Sequence, residues 1–192
     1  MASLLVGDEA AYRELCARII AEHANTLDAN IADRAAKICL LAPNSVADGE
    51  TVQRLADDSI KSQPDCEWFQ LVKGMAAYRA GRSEEAMRWL DGLRQQCNTR
   101  ITILAGYFFA MAQKQSGNPE SALTVLNTAN QEFDEYLKQG NLGIPAGEMW
   151  WFDSAAAILI RAEAERMILG AETSPRPTAA SLAAARVAWL SR

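Results

Sequence analysis

Apolar residues recur along this chain at the spacing of helix faces. Tyr12, Leu15, Cys16, Ile19 and Ile20 follow one another at the three- and four-residue steps of a single stripe. Val52, Leu55, Ser59 and Ile60 repeat the pattern and mark the inward side of a helix from about Asp48 to Ser62. No stretch shows the strict alternation of a half-buried strand, so the pattern predicts helices throughout. The first begins after Gly7-Asp8, with Asp8 as N-cap, and a second covers about 28–42 and stops at Pro43-Asn44. Pro64-Asp65 opens the fourth, which ends at Gly81, and Ser83 caps the fifth. Thr99 opens the sixth, which ends at Gly117. Asn118-Pro119-Glu120 is a strong helix start (cap, Pro at the first helical position, then acid), and that seventh helix runs to about Lys138. A connector, GNLGIPAG at 140–147, leads to an eighth helix over about 149–169 that stops at Gly170.

The punctuation between these helices is itself periodic. Gly81 and Gly117 are 36 residues apart, and the same offset aligns Met75 with Met111, Glu84 with Glu120, Ala86 with Ala122 and Leu90 with Leu126. Counting back in steps of 37 reaches Asn44 and then Gly7. Asn is the next-best residue after Gly for the left-handed conformation that ends a helix. Turns at 7, 44, 81 and 117 with two helices between each pair predict a helical repeat array. Gly74 and Ala110 on the first helix of a unit, and Ala86 and Ala122 on the second, are small enough for close helix crossings.

These residues resemble tetratricopeptide repeats. The family's small–Gly–Ala signature is carried by Gly74, Gly81 and Ala86, and again by Ala110, Gly117 and Ala122. Lys73 stands where the family has Leu, Gln70 and Gly106 stand where it has an aromatic, and the closing Pro is not in place. A narrower resemblance covers most of residues 7–170. GDEAAYRELCARII, AAKICLLAPNSVAD, YRAGRSEEAMRWL and WWFDSAAAILIRAEAERMI are similar to the repeat region that follows the catalytic domain in planctomycete-type bacterial serine/threonine kinases. The kinase motifs are absent, so the resemblance implies an accessory module. The opening MASLLVGD reads as the last turn of a repeat's first helix and its turn. That leaves open a longer array cut short or a single capping helix.

The expected architecture is an all-α, right-handed α-solenoid of about eight helices over 1–170, its first repeat partial, followed by a tail at 171–192 that is loose or forms a short helix with Leu182, Arg186, Trp189 and Leu190 on one side. In that tail Ser174-Pro175-Arg176-Pro177 stops any helix. The resemblance implies that the first helix of each unit lines a concave groove. By register, Trp68, Leu71, Met75, Tyr78 and Arg79 face it in one unit, and Leu104, Tyr107, Met111 and Lys114 in the next. Such an apolar, aromatic stripe with a basic end suits a helix or extended peptide, or else a further helix of the same chain covers it. Leu71 and Met75 occupy positions where the family's carboxylate clamp needs Lys and Asn, which disfavours an acidic C-terminal ligand. Trp150 and Trp151 point about 100° apart on a helix, so one is expected to pack against the seventh helix and the other either to cap the end of the array or to serve as an aromatic anchor.

Composition narrows the chemistry. Nineteen Lys and Arg stand against 24 Asp and Glu with no basic cluster, which argues against nucleic acid. Cys16, Cys39, Cys66 and Cys97 form no CxxC pair and read as buried small hydrophobes in a reducing compartment. The longest apolar run, 101–112, is too short to span a bilayer. A soluble, cytoplasmic protein is expected. His23 is the single histidine and reads as a partly buried helix-end residue. Arg161, Glu163, Glu165 and Arg166 read as a solvated, salt-bridged face. No cofactor, no metal and no enzymatic centre is expected. The expected function is a protein–protein interaction scaffold binding a protein or peptide, likened to the accessory region of a bacterial signalling protein; the alternative is a module that self-associates, for instance as a homodimer.

Overall fold

The computed structural model describes residues 2–5, 7–96, 99–138 and 150–171, and all their regular structure is helical. The helices are α1 (Ala2–Leu5), α2 (Glu9–His23), α3 (Ala29–Cys39), α4 (Gly49–Ser62), α5 (Glu67–Arg79), α6 (Ser83–Leu90), α7 (Leu93–Gln96), α8 (Thr99–Gln115), α9 (Pro119–Lys138) and α10 (Trp150–Leu169). The 140–147 connector, Cys97 and residues 172–192 of the tail lie outside the described residues.

The predicted turns are where the chain leaves helical space. Gly7, Asn44, Gly81 and Gly117 all have positive φ, at 81°, 52°, 75° and 82°, and Gly170 ends α10 with φ 79°. The turns at 81 and 117 are built alike. Gly81 N–H bonds Tyr78 O at 2.9 Å and Arg82 N–H bonds Ala77 O at 3.0 Å; Gly117 N–H bonds Lys114 O at 3.2 Å and Asn118 N–H bonds Gln113 O at 3.0 Å. This paired pattern satisfies the last carbonyls of the outgoing helix and needs one left-handed residue between them. The next helix then starts in the same register, with Ala86 N–H on Arg82 O and Ala122 N–H on Asn118 O.

Small residues set the crossings. A Cβ on Gly74 would sit 2.5 Å from Leu90 Cδ2, so α5 and α6 approach as closely as a bare backbone permits. Gly106, where the repeat family has an aromatic, would place its Cβ 3.0 Å from Ala129 Cβ, and α8 packs on α9 through that contact. Lys73, at a position the family fills with Leu, ties three helices together: its Nζ lies 2.5 Å from Asp57 on α4 and 3.2 Å from Glu85 on α6.

Some local expectations shift. The second helix ends at Cys39, three residues short of its expected limit, and 40–44 are turn and bend. Ser83 is the first residue of α6, not its cap; Arg82 holds the cap position without a side-chain bond. Ser83 Oγ instead donates to Gln115 Oε1 at 2.8 Å, tying α6 to α8. The left-handed turn fixes this, because its bonds place the cap at Arg82, directly after Gly81, and the helix then begins at Ser83. Asp8 and Asp48 do cap, accepting from Ala11 N–H at 3.0 Å and Thr51 N–H at 3.1 Å. The short α7, after Asp91-Gly92, was not foreseen.

Helices α3, α5 and α8 pack side by side, α4 and α6 sit against them, and α9 packs on α8. The last helix does not simply continue that series. α10 packs on α8 and α9, and its polar side chains also reach α5 and α3.

Candidate functional site

The stripe read from the sequence as a groove lies mostly inside the protein. Leu71, Met75, Leu104, Tyr107 and Met111 are fully buried and Tyr78 nearly so. Trp68, Arg79 and Lys114 are half-buried. Tyr78 meets Phe108 edge-to-face at 5.5 Å, and Tyr107 meets Phe133 at 6.4 Å. Burial pushes the Tyr78 phenol up to about 12, with the Glu163 carboxylate adding to the effect. It raises Tyr107 further still.

α10 supplies the cover at the Tyr78–Arg79 end of the stripe. Arg79 forks onto Glu163, one nitrogen on Oε1 and the other 2.7 Å from Oε2, while its Nε donates to Leu40 O at 2.9 Å. Tyr78 Oη lies 3.4 Å from Met167 Sδ. Glu165, expected on a solvated face, is 0 % exposed and accepts from Arg161 Nε at 3.1 Å and Asn130 Nδ2 at 3.2 Å. Arg161 reaches on to Asp134 at 2.5 Å. The i,i+4 spacing of Arg161 and Glu165 did make them partners. Burial differs from expectation because α9 lies against that face of α10. The side chains of Trp150 and Trp151 lie outside the described residues.

At the other end of α10 lies a cavity of about 390 Å³. It is walled by the middle of α3, the first turns of α5 and α10, and Arg100 at the start of α8. Lys37 Nζ stands 2.5 Å from Asp153 Oδ1 and 4.0 Å above the centre of the Trp68 ring. Arg100 approaches Asp153 Oδ2 at 3.3 Å. One turn before Lys37, Asp33 also lines the cavity. It is 7 % exposed, and its Oδ1 has no hydrogen-bond partner. Burial pushes its carboxyl up to about 7 against the pull of Lys37 and Arg34, and Asp153 pushes the same way.

Of these wall residues, sequence reasoning singled out Trp68 and set Cys66 down as a buried thiol. Asp33 and Lys37 carried one signal: two charges at i,i+4 on a helix whose remaining buried positions are Ala32, Ala35, Ala36 and Cys39. Charges inside such a stripe point to an internal partner rather than to water.

The raised Asp33 carboxyl fixes a pH dependence. A folded-state value above the unfolded one means the native chain holds a proton that the unfolded chain releases. Its stabilising contribution is complete below the unfolded carboxylate range and is lost as pH rises to about 7. Asp33→Asn is therefore expected to flatten that slope and to raise stability at pH 8 by on the order of 2 kcal/mol. Urea midpoints at pH 5, 6, 7 and 8 check this, and an unchanged slope in the variant would refute it.

His23 closes α2 half-buried, 3.7 Å from Glu22. Cys16 and Cys39 are buried together, Cys39 Sγ lying 4.0 Å from Cys16 O, and Cys66 is half-buried. Among the described residues no three His, Cys, Asp or Glu side chains gather as a metal site, and no helix is long and apolar enough to cross a membrane. Comparison with protein-family models, curated proteins and solved structures returns no match to this chain, so its site is read from its own geometry.

Proposed function

We propose that the chain is a tetratricopeptide-like solenoid that acts as a non-catalytic protein-interaction scaffold, its inner face being a receptor for an amphipathic helix. One observation carries this reading. The helix packed on α8 and α9, with side chains reaching Lys37 of α3 and Arg79 of α5, is the chain's own α10, and it is held by polar clasps as well as by apolar packing. A face that accepts Glu163 on Arg79 and Asp153 on Lys37 recognises a helix by charge register, which is how grooves of this kind select a partner. The role beside a bacterial signalling kinase rests on the sequence resemblance alone. Self-association has less support: the exposed large hydrophobics among the described residues are few, Leu27 and Ile31 around the start of α3, Leu123 on α9 and Leu169 at the end of α10.

The test is a fluorescently labelled peptide of residues 150–169 titrated with the full chain. Saturable binding is expected, weakened by competition from the tethered helix and absent for a scrambled peptide. Equal binding of both peptides, or of neither, removes the helix-receptor reading. Sizing chromatography with light scattering run alongside separates it from self-association, which would show as a concentration-dependent mass.

A further inference from the structure

The cavity at the start of α10 shares the Lys37–Asp153 clasp with the helix-binding face and adds Asp33, Arg34 and Cys66 to it. Its charged groups can be named element by element. α3 contributes Asp33, Arg34 and Lys37, α8 contributes Arg100, and α10 contributes Asp153; α5 brings the Cys66 thiol. Three cations face two carboxyls. Asp153 is engaged by Lys37 and Arg100, whereas Asp33, in the same wall, has a buried oxygen, Oδ1, that no donor meets.

A second feature lies in the same wall. α5, thirteen residues long, starts at Glu67 directly after its N-cap Cys66, whose side chain makes no capping bond. Its first-turn amides therefore form the positive end of a helix with no side-chain acceptor from the cap. Phe69 and Phe152 supply flat apolar surface beside it, and Trp68 carries Lys37 on its ring. Cationic groups, a helix N-terminus, a buried carboxyl without a partner and aromatic walls thus converge on one open volume large enough for a small molecule.

We propose that this cavity binds a small organic anion with a flat apolar body, of the aromatic carboxylate class. The ligand's carboxylate is received by Arg34, the first turn of α5 and the protonated Asp33 carboxyl, and its ring by Phe69 and Phe152. Charge decides against a cationic ligand: with Asp33 neutral, Arg34, Lys37 and Arg100 outnumber Asp153, and an amine would add a further positive charge to a partly desolvated space. Asp33 serves as the donor only while it holds its proton, and its carboxyl titrates at about 7. Binding is therefore coupled to proton retention and weakens as pH rises through that value.

The experiment uses the full chain, isotopically labelled for NMR, with benzoate as the anionic probe and benzylamine as a cation of the same size. Benzoate is expected to shift the amides of Asp33, Trp68 and Phe69 saturably and to bind about tenfold tighter at pH 6 than at pH 8, the ratio set by the protonated fraction of a single group titrating near neutrality. Asp33→Asn, which keeps a donor at every pH, should retain the pH 6 affinity at both values. Arg34→Ala, at an exposed position that leaves the fold intact, should weaken benzoate about fivefold or more. Tighter binding of benzylamine, benzoate affinity that ignores pH in the unmodified chain, or the absence of any saturable shift would each overturn the proposal. The peptide 150–169 is not involved in these titrations, so failure here leaves the helix-receptor reading standing, and the reverse holds as well.

Discussion

Glu163→Ala is expected to destabilise the chain by about 3–5 kcal/mol, because it strands a guanidinium that the fold has already taken out of water. The Arg79 and Glu163 side chains are 11 % and 18 % exposed. Arg79 sits 5.2 Å from the Phe108 ring and 5.4 Å from that of Tyr78, and its Nε is committed to Leu40 O. Without the carboxylate, two N–H groups of the fork face a space lined by α5 and α10 with no acceptor in its place. The sign of the double variant separates pairing from packing. Arg79→Leu with Glu163→Leu removes both charges and fills the volume with apolar atoms, and it should recover most of the loss. Urea unfolding of the two single variants and the double variant measures the coupling. A cost for Glu163→Ala below about 1 kcal/mol would place the pair in the range of solvated ion pairs, and α10 would then be held by its apolar face alone.

What could be read from the sequence follows the range of the interaction. The turns at 44, 81 and 117 were legible because a left-handed residue is a local demand that only Gly, and next Asn, meets at little cost. Val52, Leu55, Ser59 and Ile60 were legible as an inward face because a helix exposes its own periodicity, and all four are buried. The close crossing at Gly74 was legible because a missing side chain at that step of a unit has a steric reading. The cover over Tyr78 and Arg79 was not. Arg79 and Glu163 are 84 positions apart, and nothing local in either helix names the other. An apolar inner stripe reads the same whether it waits for a partner or receives a later helix of its own chain, so the choice had to stay open until α10 was placed. The Asp33 cavity lies at the same limit. Its walls come from α3, α5, α8 and α10, and each contributes residues that look like ordinary surface charge or core aromatics when taken alone. Arg161 and Glu165 show the boundary clearly: the four-residue step predicted the pairing, while their burial depended on α9.

The α5–α6 crossing yields the second large effect. Leu90 is fully buried and fills the space above Gly74 that a side chain would otherwise occupy, so Leu90→Ala is expected to cost about 2–5 kcal/mol through lost burial and the cavity left behind. Gly74→Ala acts in the opposite sense. Its new methyl would lie 2.5 Å from Leu90 Cδ2 and 2.6 Å from Leu90 Cγ, and relieving that contact means moving the whole side chain or parting the helices. About 1–3 kcal/mol is the expected penalty. The two changes share one volume, so they should not add. With Leu90 truncated the Gly74→Ala methyl enters space that is already empty, and a helix interior favours Ala over Gly by about 1 kcal/mol. The double variant should therefore be more stable than Leu90→Ala alone, a reversal of sign that neither helix propensity nor core volume predicts in isolation. Thermal or urea unfolding of the three variants reads it directly. If Gly74→Ala destabilises the Leu90→Ala background as much as it does the parent chain, the glycine is required for its backbone and not for the approach of α6.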